Sequence, residues 1–66
     1  MDGKEIQLAL RKLGVRIEDP MAHYIARQLA SGSSTIPILA ADARTGIPLR
    51  KIITPAELQS AAALPA

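Results

Sequence analysis

Between Thr35 and Pro55 the chain reads TIPILAADARTGIPLRKIITP, two apolar arms around a polar turn, with a proline in each arm. No other stretch constrains the fold as strongly. Aliphatic and β-branched residues bounded by turn residues argue for strands. The segment DARTG supplies the turn, because Asp42 can accept backbone amides inside it and Gly46 suits a left-handed position. A β-hairpin over residues 35–53 follows, with a four-residue loop from Ala43 to Gly46. If Asp42 faces Ile47 as a hydrogen-bonded pair, then Ala41 with Pro48 and Pro37 with Ile52 are non-hydrogen-bonded pairs. Neither proline then breaks a bond inside the hairpin. Each instead removes a donor from an outer edge, where unwanted strand pairing begins.

That register sorts the side chains into two faces, Ile36, Ile38, Ala40, Ile47, Leu49 and Ile53 with Lys51 on one, and Pro37, Leu39, Ala41, Pro48 and Ile52 with Arg50 on the other. Neither is a solvent face. Helices can cover one side of the ribbon, but an isolated ribbon is marginal, so the second face or an open edge is expected to meet another chain. The expected association surface comprises Ile36, Leu39, Ala41, Pro48 and Ile52, with Leu8 on the first helix next in line. The first arm is uncharged from Ile36 to Ala41, whereas the second carries Arg50 and Lys51. The first arm, centred on Leu39, is therefore expected at the subunit boundary.

Helical patterns flank the hairpin. Asp2 with Glu5 makes a capping box, and Ile6, Ala9, Leu10 and Leu13 recur at helical spacing, which predicts a helix over 3–13 stopped by Gly14. GVRIEDP reads as a connector with Val15 and Ile17 turned inward. Asp19 followed by Pro20 reads as an N-cap and a first helical residue, which predicts a second helix over 20–30. Met21, Ala22, Ile25 and Leu29 form its inner stripe, bordered by Tyr24 and Gln28. SGSS, from Ser31 to Ser34, is a short link. Thr54-Pro55-Ala56-Glu57 starts a third helix over 55–63, alanine-rich, with a fraying end and dependent on docking. The expected fold is a small α+β domain over 1–66, of order ααββα.

At 66 residues a single core barely outweighs the entropy of ordering the chain. The sequence has no cysteine, and its metal-ligand stock is His23 with six scattered carboxylates. With disulfide and metal support excluded and no cofactor expected, oligomerisation or a protein partner is left to supply stability. Hydrophobic residues make up 48% of the chain, yet Tyr24 is its only aromatic, so Ile, Leu and Ala carry the burial. No apolar run approaches the ~18 residues of a membrane span, and MDGKEIQ lacks the features of a signal peptide, which predicts a cytoplasmic protein.

No catalytic set is visible. His23, Asp42 and Ser60 occur in that order without geometry to join them, and capping or turn chemistry explains Glu5, Asp19, Asp42 and Glu57. Gly32 lies between a helix and a strand, the reverse of the order a phosphate loop needs. An enzyme is not expected. The net charge of +2 permits nucleic-acid contact without demanding it. The first two helices around LGV invite comparison with a helix-turn-helix, but Pro20 leaves a connector of about six residues where about three or four are needed. Two helices, a ribbon with a TG turn and a final helix also loosely resemble the bacterial histone-like DNA-bending proteins, which clamp DNA as dimers. The chain departs from them in having no phenylalanine, no long basic arm and no dense lysine. Arg44 at the turn tip, Arg50 and Lys51 on the ribbon, and Arg11 and Lys12 on the first helix are the residues that would contact a nucleic acid. The sequence therefore points to a non-enzymatic regulatory or adaptor module that self-associates or binds a protein through its hairpin. A dimeric DNA-binding regulator is the alternative.

Overall fold

The computed structural model describes residues 1–65. Helix α1 spans Gly3–Lys12, strand β1 Val15–Arg16, helix α2 Asp19–Ala30, strand β2 Ile36–Asp42, strand β3 Pro48–Ile53 and helix α3 Pro55–Ala62. The strands form one antiparallel sheet in the order β1-β2-β3. The class is α+β, as expected, but the element order is αβαββα.

The hairpin has the register its prolines require. Ala41 pairs with Pro48 and Pro37 with Ile52, while the Asp42 amide donates to the Ile47 carbonyl at 2.9 Å. Within the turn, one Asp42 carboxylate oxygen accepts the amides of Arg44 at 2.9 Å and Thr45 at 3.0 Å. Gly46 closes the loop at φ 77°, in the left-handed region. The two faces divide as the alternation implies. Ile36, Ile38 and Ile53 are buried, with Ala40, Leu49 and Lys51 half-buried on the same side. Ile47 departs from the expectation: it precedes β3 and is 63% exposed.

Ile36 is the clearest correction. It was expected on the association surface, but it is fully buried because its alternation phase matches Ile38 and aims it at the helices. The core it joins contains Ile6, Leu10, Ile25, Ile53 and Leu58, all at 0% exposure. Burial of a large aliphatic side chain contributes about 1.5–3 kcal/mol, so these six residues carry much of the stability.

Strand β1 is the second correction. The segment expected to be a plain connector turns Val15 and Ile17 into the core, each 6% exposed. Between them it places Arg16 opposite Ala41, and Val15 opposite Asp42. The far edge of β2 is therefore occupied at Ala41 and Asp42, not open for a second chain. The Ala43 amide also donates to the Gly14 carbonyl at 2.9 Å, tying the hairpin turn to the end of α1.

The helix ends follow their caps. Asp2 and Glu5 exchange both capping-box bonds, at 2.9 and 3.3 Å. α1 stops one residue earlier than expected, and Leu13, outside the helix, is 38% exposed. For α2 the N-cap is Glu18, which makes no side-chain cap bond, and Asp19 is already helical. Asp19 was expected to cap. Its carboxylate instead accepts from the Gln7 side chain at 2.8 Å, joining α2 to α1. α3 begins as expected, with the Thr54 hydroxyl accepting the Glu57 amide at 3.2 Å. It docks on α1 by burying Leu58 and Ala61, which supplies the stability its composition lacks.

Candidate interaction surface

The helices bury one face of the sheet and leave the other bare. Paired residues in an antiparallel sheet share a face, so the outer face can be read in cross-strand rows. Pro37 with Ile52 forms one row and Leu39 with Arg50 the next, followed by Arg16, Ala41 and Pro48. Leu39 and Ile52 are 62% and 65% exposed. Single exposed apolar residues are ordinary on a protein surface, but a contiguous patch marks a binding site. Beside this face Met21 and Tyr24 of α2 share a shallow groove with Pro37, Leu39 and Arg50. Leu39, Ala41, Pro48 and Ile52, four of the residues expected at the interface, thus lie together on the outer face, and Ile36 does not.

The hairpin's two outer edges offer only short windows for strand addition. β1 covers β2 at Ala41 and Asp42, and α2 lies along the same strand farther on, with Met21 and Tyr24 beside Pro37 and Leu39. On β3 the outward amides belong to Arg50 and Ile52, while Pro48 has none to offer. Antiparallel pairing of two β3 edges centred on Arg50 would set like charges directly opposite each other. Direct strand pairing through the first arm, one of the two modes expected from the sequence, is blocked by β1 where that strand is paired.

Leu8 lies apart on α1, 55% exposed, in a hollow shared with Lys4, Gln7, Arg11 and Arg16. Arg16 was not singled out in the sequence. Its signal was the alternation of buried Val15, exposed Arg16 and buried Ile17, too short to stand out as a strand. Of the basic residues considered for nucleic-acid contact, two are engaged within the chain. The Lys12 ammonium donates to the carbonyls of Ala62 at 3.2 Å and Leu64 at 2.6 Å, closing the end of α3. Lys51 pairs with Glu57 at 3.4 Å. Arg11, Arg44 and Arg50 belong to three different elements, α1, the turn tip and β3 respectively.

The hollow beside His23 is shared with Asp2, Lys4 and Asp19 and includes neither Asp42 nor Ser60. Asp42 has its pKa lowered below the usual aspartate value, chiefly by the backbone hydrogen bond from Thr45 and then by that from Arg44. This is turn chemistry. Among the described residues, no group of three or more His, Cys, Asp and Glu side chains could hold a metal ion, and no helix is long and apolar enough to cross a membrane. No family model, curated protein or solved structure matches the chain.

Proposed function

We propose that the chain is a non-enzymatic regulatory or adaptor module of the cytoplasm that self-associates through the outer face of its sheet. The observation that carries this reading is the bare face on which Leu39 and Ile52 are exposed beside Pro37 and Pro48, on a hairpin whose β2 edge is paired at Ala41 and Asp42. A face of this kind gains by being removed from water, at about 25 cal/mol per Å² of apolar area. The short edge windows direct that gain toward face-to-face packing.

The DNA-binding alternative has less support, because Lys12 and Lys51 are engaged by their own chain and the remaining candidate arginines belong to three different elements. Sedimentation equilibrium at micromolar concentration tests the proposal and should return about twice the 7.0 kDa chain mass. A monomer at every accessible concentration would refute it. An electrophoretic shift assay at low and moderate salt separates the alternative, since DNA binding driven by counterion release falls steeply with salt. The proposed module should leave the DNA unshifted at both.

A further inference from the structure

The outer face carries a charge pattern that fits a second copy of itself. Continuing the β1–β2 register two residues beyond Arg16 brings Glu18 opposite Leu39. The Glu18 backbone is extended at φ −87° and ψ 166°, as that continuation requires. Glu18 also shares a hollow with Leu39, Ala40 and Ala41. Leu39 and Arg50 form a cross-strand pair, and Glu18, just past the last β1–β2 bridge at Arg16–Ala41, lies across the hollow on the other side of Leu39. An acid, an exposed leucine and a base therefore follow one another across the outer face. Among the described residues Glu18 and Arg50 form no ion pair, the one such pair being Lys51–Glu57.

A two-fold dimer must use the same patch on both subunits, with residue i meeting j′ and j meeting i′. When two sheet faces pack on one another about 10 Å apart, the two-fold axis lies in the plane between them. An axis running across the strands would stack Glu18 on Glu18 and Arg50 on Arg50. An axis running along β2 reverses that order, so that Leu39 meets Leu39 in the centre and each Glu18 meets the opposing Arg50. We infer that the chain forms a homodimer whose two-fold axis runs along β2, with Leu39 at its centre and two reciprocal Glu18–Arg50 pairs selecting that orientation.

This inference rests on the self-association proposed above, and charge reversal separates the failure of the two. Dissociation constants of the full chain would be measured for wild type, Glu18→Arg, Arg50→Glu, the double variant, and an equimolar mixture of the single variants, with circular dichroism confirming the helices. Each single reversal places two like-charged pairs in the dimer and should raise the dissociation constant about tenfold or more. The double variant restores opposite charges and should return to within about threefold of wild type, as should the mixed heterodimer.

Arg50→Glu is the decisive arm. It lowers the net charge from +2 by two units to zero, so general charge repulsion alone would make that dimer tighter, not weaker. It also lies away from any helix end, so it remains informative if Glu18→Arg disturbs the start of α2. A wild-type dimer indifferent to both reversals, or one tightened by Arg50→Glu, overturns the orientation and leaves self-association standing. A wild-type monomer overturns both.

Discussion

Gly46 and Asp42 decide whether the hairpin closes, and each does so by a separable mechanism. At φ 77° a Cβ on residue 46 would meet no atom within 4 Å, so substitution there costs backbone strain and not collision. Gly46→Ala should destabilise the fold by about 1 kcal/mol, and Gly46→Asn by less, because asparagine tolerates the left-handed region. Denaturant titration of the two variants checks the order. Asp42 gives a pH signature. Its folded-state pKa lies below the unfolded value because its carboxylate accepts the Thr45 and Arg44 amides. Its contribution is therefore fully present above the unfolded value and is lost as pH falls through the depressed folded one. Between about pH 5 and pH 2 the wild type should lose stability more steeply than Asp42→Asn, whose side chain can still accept in the turn without titrating. Parallel slopes for the two proteins would remove the carboxylate from the account.

At the scale of elements, α3 shows how docking replaces propensity. The helix spans eight residues and would be marginal alone, but Leu58 is fully buried and Lys12 closes its far end on two carbonyls. Leu58→Ala should cost about 2–5 kcal/mol, with the value set by how far α1 and α3 can close over the cavity. The check is a thermal melt together with loss of amide protection along α3. The three helices and the hairpin register were legible in the sequence because capping residues, a turn glycine and strand alternation are local signals. Strand β1 was not legible. With two residues, VR, it has no periodicity of its own, and it pairs only because Ile17 and Val15 are both drawn into a core assembled from distant segments. The shift of the α2 N-cap from Asp19 to Glu18 has a similar origin, since the Asp19 carboxylate is taken by Gln7 on another helix. The candidate surface was legible in part. Alternation separated the two faces, but which face the helices would cover depended on tertiary packing, and that placed Ile36 inside and Leu39 outside.

For the whole molecule, the contrast between Ile36 and Leu39 separates folding from the proposed association. The two lie on the same strand with opposite phase, Ile36 at 0% exposure and Leu39 at 62%. A lysine at position 36 would bury an unpaired charge in the one core the chain has, a cost of several kcal/mol against a total stability of about 5–15 kcal/mol. Ile36→Lys should therefore unfold the chain at every concentration. A lysine at position 39 points into solvent in the monomer and must be desolvated only when the two faces meet. Leu39→Lys should leave the helical circular dichroism close to wild type while weakening the dimer by about tenfold or more. The concentration dependence of the melt distinguishes the two effects, because mass action makes the midpoint of a dimer rise with protein concentration. In wild type the midpoint should climb across a hundredfold range of concentration, whereas in Leu39→Lys the climb should begin only at concentrations about tenfold or more higher. If Leu39→Lys instead unfolds the chain at all concentrations, the outer face belongs to the monomer's own packing. The Leu8 hollow on α1, with its three cations, would then be the surface to test next for association.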